Sequence, residues 1–168
     1  MIKAESRILD VWVVLPERVL LLDIAGPMEV LRRANVEQNA LQFKVHYVGS
    51  SARATSSVGI PLADIAPLPS TLPPGAMIIV PGSADKVAFA EDVSHAAVRQ
   101  DERAIVDWLR ACIRPGHTLV TICSGALLAA RAGLLDGYSC TTHHAECDEL
   151  AALAPQAKVL DNSIRDRR

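Results

Sequence analysis

The stretch Thr118-Leu-Val-Thr-Ile-Cys-Ser-Gly-Ala-Leu-Leu-Ala-Ala-Arg131 passes from an apolar β-like run, through Cys123-Ser-Gly125, into a helix-like run. A thiol at such a junction sits beside unpaired N–H groups and the positive end of a helix dipole, which favours thiolate. The same N–H groups suit a developing oxyanion. The competing use of this cysteine is as a small buried hydrophobe. One feature departs from a nucleophile elbow: the glycine expected two residues before the nucleophile is Thr121 here.

Working outward, Ala76-Met-Ile-Ile-Val80 reads as a short buried strand that runs into Pro81-Gly82-Ser83, where glycine lets backbone come close to a ligand. The N–H of Gly82 or Ser83 would complement that of Ser124; a simple tight turn is the alternative. Arg7 to Leu15 is β-rich and mostly apolar, as expected of a central strand covered on both faces, and Pro16 ends it. Gly26-Pro27 reads as a helix start, with Met28 and Leu31 on one face, so Asp23 falls just before that helix, near the carboxyl end of strand one. Ligands bind at that end of an open α/β sheet; a capping or turn carboxylate is the other reading of Asp23.

Gln42 to Gly49 alternates as a half-covered strand, which makes His46 a polar-face residue with no assigned role. Ser50 to Leu62 suggests a small hairpin around Val58-Gly59, and Pro67, Pro69, Pro73 and Pro74 punctuate a surface connection. Ala96 to Ile113 has helical periodicity that places Cys112 in the core, and Arg114-Pro-Gly116 stops it. A helix over 125–133, a strand over 138–142, a helix over 145–154 and a strand beginning at Lys158 complete the pattern. Alternating strands and helices predict an α/β fold: a doubly wound, mostly parallel, flavodoxin-like sheet with helices on both faces.

The 168 residues, half of them hydrophobic, suffice for one domain with a real core. A net charge of −2 gives no general attraction to nucleic acid or anionic membrane. The charged N-terminus and the lack of a membrane-length apolar run predict a soluble cytoplasmic protein. Four cysteines without a C-x-x-C pair fit reduced thiols better than a disulfide framework. No glycine-rich nucleotide-binding motif is present.

Cys140-Thr-Thr-His-His-Ala-Glu-Cys147 raises a zinc reading, because on one continuous helix its thiols and imidazoles would share a face. Thr141 and Thr142 instead favour a strand ending near His143, which divides the ligands between two elements, and the spacing matches no standard zinc signature. No metal and no cofactor are assigned. The competing use of His143 is as the partner of Cys123, both at carboxyl ends of strands with Asp23 and Gly82 nearby. A thiol, imidazole and carboxylate together can form thiolate, move protons and stabilise an oxyanion. Asp23 has a second option, a direct hydrogen bond to the sulfur. His144 is expected to face the following helix or a subunit contact.

From about Val11 to Asn162 the chain resembles the ThiJ/PfpI superfamily, of class I glutamine amidotransferase-like fold. The resemblance rests on Leu22-Asp-Ile-Ala-Gly-Pro-Met-Glu-Val-Leu31, Val80-Pro-Gly82, Thr121-Ile-Cys-Ser-Gly125 and Ala132-Gly-Leu-Leu-Asp-Gly137, followed by Thr141-Thr-His143. It implies an elbow nucleophile at Cys123, an acidic partner at Asp23, an oxyanion pocket from the backbone of Gly82 and Ser124 with Ser83 alongside, a nearby His143, and a homodimer. Ala132-Gly-Leu-Leu-Asp-Gly137, Thr141-Thr-His-His144 and Cys147 to Pro155 are most similar to the N-terminal sensor domain of AraC-family transcriptional regulators. Such sensors bind a small metabolite ahead of a helix-turn-helix domain. This chain has no helix-turn-helix region and stops at Asp161-Asn-Ser-Ile-Arg-Asp-Arg-Arg168, before the Thr-Ser-Ala-Gly segment and final helix of that pattern.

The resulting expectation is a metabolite-sensing, dimerising domain whose DNA binding resides in a C-terminal region absent here. The alternative is a stand-alone cysteine-dependent hydratase or hydrolase, isocyanide hydratase-like or glyoxalase-like, in which Cys123 adds to an electrophilic carbon. Oxidation sensing at Cys123 is compatible with either.

Overall fold

The structure, a computed structural model, describes residues 7–88 and 94–160. The charged N-terminus and the 161–168 stretch discussed above lie outside those residues. In chain order the elements are β1 (Arg7–Val14), β2 (Arg18–Val19), α1 (Leu21–Glu37), β3 (Leu41–Gly49), β4 (Ala54–Ser56), β5 (Pro61–Leu62), β6 (Ala66–Pro67) and β7 (Met77–Val80). There follow α2 (His95–Cys112), β8 (Thr118–Thr121), α3 (Gly125–Arg131), β9 (Ser139–Cys140), a 3₁₀ turn (His144–Glu146), α4 (Cys147–Leu153) and β10 (Lys158–Val159).

The five-stranded sheet has the order β6-β3-β1-β7-β8 with every pairing parallel. This is the predicted α/β architecture. β1 lies at its centre, and its side chains alternate between two cores as strand geometry requires. Val11, Val13 and Leu15 join Ile79 and the Ile24 face of α1, with Met28 and Leu31 packed alongside. Val14 joins Val48, Ile78 and Val80 beneath Ile105, Trp108, Leu109 and Cys112 of α2 and Leu128 of α3. A third cluster binds α3 to α4 through Ala126, Ala129, Ala130 and Leu150. The expected hairpin near Val58-Gly59 is β4 paired antiparallel with β5, and β4 also pairs with β2. β9 and β10 form a separate parallel pair. Among the described residues no helix is long and apolar enough to cross a membrane.

One helix boundary differs from expectation. α1 begins at Leu21, so Gly26 and Pro27 lie inside it and Asp23 lies in its first turn. Pro27 removes one backbone donor, while burial of Ile24 against the sheet holds the earlier turn in place. The consequence is that Asp23 is carried on a helix N-terminus, where a negative charge is favoured.

β8 is an edge strand, and a groove of about 760 Å³ runs beside it, lined by residues including Leu119, Thr121, Leu134, Tyr138, Cys140 and Leu160. Cys123 is not among its walls.

The carboxyl end of the sheet is braced by Asp101 of α2, which is only 7% exposed. Its Oδ2 accepts the Glu17 N–H at 2.9 Å, and its Oδ1 accepts the Ser50 hydroxyl. Burial pushes the Asp101 carboxyl above its ordinary range, against the opposing pull of those hydrogen bonds. Glu17 is raised by burial and by Asp101 beside it. A carboxyl whose pKa is higher in the folded state holds its proton more tightly there. Its contribution is therefore favourable at low pH and is lost as pH rises from the ordinary Asp value through the raised one. Asp101→Asn keeps an acceptor for Glu17 and a donor for Ser50, so thermal unfolding followed against pH is expected to show that loss flattened. Asp101→Ala strands the Glu17 N–H and is expected to cost about 1–3 kcal/mol at every pH.

Candidate functional site

The site is built on a strained turn. Cys123 has φ +52°, a left-handed conformation costing roughly 1–3 kcal/mol for a residue other than glycine, asparagine or aspartate. The turn is closed by the Gly125 N–H, which donates to the Ile122 carbonyl at 2.9 Å. α3 then starts hard against β7: a Cβ on Gly125 would lie 2.1 Å from the Val80 carbonyl oxygen. Only glycine at 125 lets the helix leave the sheet here, and this close approach sets the direction of the Cys123 side chain.

Around this elbow the structure brings together most of the residues singled out in the sequence. Leu20 N–H donates to the Gly82 carbonyl at 2.9 Å, and Val19 bridges Ser83, so β2 delivers the start of α1 to the β7 loop. Asp23 Oδ2 accepts the Gly82 N–H at 3.1 Å. Ser124 Oγ accepts the Ser83 N–H at 2.9 Å. A Cβ on Gly82 would lie 2.8 Å from Ser124 Oγ and 3.0 Å from Asp23 Oδ2, so the absence of a side chain there makes room for both. Of the three backbone donors considered for an oxyanion, those of Gly82 and Ser83 are thus engaged by side chains of the protein itself, while the Ser124 N–H faces the Cys123 sulfur.

His143 lies outside this set. It is exposed, caps the 3₁₀ turn by accepting the Ala145 N–H on Nδ1 at 3.4 Å, and rests against the His144 ring at a centroid distance of 4.2 Å. Among the described residues it makes no hydrogen bond to Cys123. Cys147 Sγ points back to the His143 carbonyl at 3.8 Å. No group of three His, Cys, Asp or Glu side chains among the described residues is arranged to hold a metal ion.

The electrostatics at Cys123 run opposite to the thiolate expectation. Burial pushes the thiol above its ordinary value, and the carboxylates of Asp23 and Glu146 push in the same direction; hydrogen bonds from Ser124 oppose them. Desolvation and two nearby negative charges all disfavour the anion.

Glu146 is the neighbour of Cys123 that sequence reasoning missed. Its Oε2 faces the Thr142 hydroxyl at 3.2 Å, and that hydroxyl donates to the Cys123 carbonyl at 2.9 Å. Thr142 precedes the His143 cap and the 3₁₀ turn begins only at His144, so no helical spacing linked the two residues in the sequence. Glu146 was obscured by the thiols and imidazoles around it.

Two measurements test this geometry. Gly125→Ala is expected to destabilise the fold by about 3 kcal/mol or more, because its Cβ meets backbone rather than a flexible side chain; chemical denaturation checks it. Alkylation of Cys123 followed against pH is expected to show a midpoint above the free-thiol value of about 8.5. Asp23→Asn, by removing one negative charge, is expected to lower that midpoint.

Comparison with known proteins agrees with this architecture. The DJ-1/PfpI family matches residues 10–167. An isonitrile hydratase from Pseudomonas putida is 29% identical over 159 residues, covering 94% of this chain. This chain spans 62% of that relative's length. The HTH-type transcriptional regulator GbdR from Pseudomonas aeruginosa is 47% identical over 55 residues, which are 33% of this chain and 14% of the regulator. Among solved structures, a ThiJ/PfpI family protein from Pseudomonas syringae superposes with a TM-score of 0.65 at 19% identity, covering 96% of this chain and 59% of that one. An AraC family transcriptional regulator from Pseudomonas putida superposes with a TM-score of 0.61 at 21% identity, covering 92% and 77%. With its parallel sheet, its cysteine on a left-handed turn and a family match across nearly its whole length, this chain belongs to the DJ-1/PfpI family.

Proposed function

We propose that this chain is the metabolite-sensing and dimerising domain of an AraC-type transcriptional regulator, with DNA contacted through a region outside it. The observation that carries this reading is the state of the elbow. Burial and the carboxylates of Asp23 and Glu146 disfavour the Cys123 thiolate, and the Gly82 and Ser83 N–H groups are already engaged by Asp23 and Ser124. A nucleophile needs the opposite arrangement, an ionised sulfur and free donors aimed at the developing charge. A recognition pocket needs fixed polar groups, which these hydrogen bonds supply. The similarity to GbdR and to the AraC family structure supports the same reading.

A second reading is a cysteine-dependent hydratase. It is favoured by the left-handed Cys123 backbone and by the similarity to the isonitrile hydratase across 94% of the chain. In that reading the Cys123 sulfur adds to an electrophilic carbon while its proton passes to the Asp23 carboxylate, which returns it to the adduct.

The reading frame beyond Arg168 is expected to encode a helix-turn-helix domain. The full-length protein, screened with small metabolites, is expected to change its affinity for DNA with at least one of them. A protein that binds no DNA in the presence of any member of a broad panel overturns the regulator reading. The hydratase reading expects turnover of an isocyanide or a 2-oxoaldehyde that Cys123→Ser abolishes; lack of turnover by the intact protein removes it.

A further inference from the structure

The β9 to α4 connection reaches the elbow through two side chains that neither reading above assigns. Thr142 Oγ1 lies 2.9 Å from the carbonyl oxygen of Cys123 and 3.2 Å from Glu146 Oε2. The Cys123 carbonyl belongs to the one residue of the site held at φ +52°. It also accepts the Ala126 N–H, but at 3.4 Å, which leaves the Thr142 hydroxyl as its shorter bond. Thr142 and Glu146 are both partly buried, so water competes weakly for these contacts.

We infer that Thr142 and Glu146 are positioning residues for Cys123, a latch through which the 3₁₀ turn ahead of α4 holds the elbow and governs the ionisation of its sulfur. The inference rests on the reading that Cys123 lines the functional site, and it deepens that reading by naming a control element. The chemistry of the latch follows from a proton count. A threonine hydroxyl has one proton to give, and here it faces two acceptors. When Glu146 is an ionised carboxylate, it competes with the Cys123 carbonyl for that proton and sets a negative charge near the sulfur. When Glu146 is neutralised, by a proton or by a ligand group that donates to it, the hydroxyl turns fully to the Cys123 carbonyl and the charge beside the sulfur disappears. Both changes act at the same residue: the strained turn is held more firmly and the thiol ionises more readily.

The charged surroundings of the sulfur leave this effect legible. Asp23 faces it from α1 and Glu146 from the 3₁₀ turn, Ser124 supplies hydrogen bonds, and the Gly82-Ser83 loop brings no ionisable side chain.

The test needs no ligand, so it stands or falls apart from the sensing reading. The rate of iodoacetamide modification of Cys123 is followed against pH by peptide mass spectrometry, with Cys147 as internal control, for the wild type, Glu146→Gln, Thr142→Val, Thr142→Ser and the Glu146→Gln/Thr142→Val double variant. Glu146→Gln is expected to move the Cys123 midpoint to lower pH and to raise the rate below the midpoint by about threefold or more, the rate following the thiolate fraction. In the Thr142→Val background, where Glu146 has lost its anchor, the same substitution is expected to have less than half that effect. Thr142→Ser, which keeps the hydroxyl, is expected to preserve the wild-type profile. An unmoved midpoint in Glu146→Gln, or an equal shift with and without the Thr142 hydroxyl, overturns the inference. Loss of folding in Thr142→Val leaves the Thr142→Ser and Glu146→Gln profiles to decide: a Thr142→Ser profile that departs from the wild type overturns it as well.

Discussion

The site depends on one close approach. α3 begins where a Cβ at position 125 would lie 2.1 Å from the Val80 carbonyl oxygen, so the helix meets the sheet at a distance only glycine permits. Because the chain has to turn from β8 into α3 within that space, Cys123 is forced into the left-handed region. The strain is then carried by bonds on both sides: Gly125 N–H to the Ile122 carbonyl, and the Thr142 hydroxyl to the Cys123 carbonyl. β7, β8, α3 and the β9 to α4 connection are thereby joined at a single residue. The parallel order of the sheet places β1 beside β7, which brings the start of α1, and Asp23 with it, to the same end.

What that residue can do is decided by a contest of small electrostatic effects. A helix N-terminus favours an anion by roughly 0.3–1 kcal/mol in exposed settings. A seven-residue helix lies behind Cys123, while the sulfur is partly removed from water and faced by two carboxylates. Desolvation and like charge push the thiol up, against the Ser124 hydrogen bonds. The same carboxylates contribute order. Asp23 fixes the Gly82 N–H, and Glu146 meets the hydroxyl that fixes the Cys123 carbonyl.

The contrast between what could and could not be read in the sequence follows from the range of each interaction. β1 and β7 announce themselves through apolar runs because burial on both faces imposes a composition, and β3 through the alternation of a half-covered strand. The helix over 95–112 does so because its apolar stripe has to meet one face of the sheet. The cysteine turn was visible too, since an apolar strand, a small polar pair and an apolar helix follow one another in Thr118 to Arg131. The start of α1 was misplaced because Gly26-Pro27 is a strong local signal, whereas the burial of Ile24 that carries the helix back to Leu21 is a tertiary contact. The dipole at Cys123 is a local effect, but the charges that oppose it come from residues 100 positions upstream and 23 downstream in the chain. Glu146 was hidden by richer neighbours: among two thiols and two imidazoles a single carboxylate drew no attention, yet it is the group that faces the elbow.

A turn in which burial and nearby carboxylates disfavour the thiolate, with the Gly82 and Ser83 N–H groups engaged, is still organised as an elbow, and this combination bears on how reaction centres and recognition sites are related in such folds. The strained turn, the glycine contact and the converging acid are required to place a side chain at the mouth of the sheet, whatever that side chain then does. Only the charge state and the freedom of the N–H groups separate addition to a carbon from recognition of a molecule. Here both are biased by side-chain contacts from Asp23, Ser124 and Glu146. Those contacts can change without disturbing the packing of Gly125 on Val80. The scaffold and the chemistry are therefore separable, and a few carboxylates and hydroxyls around one cysteine suffice to move a site from one use toward the other.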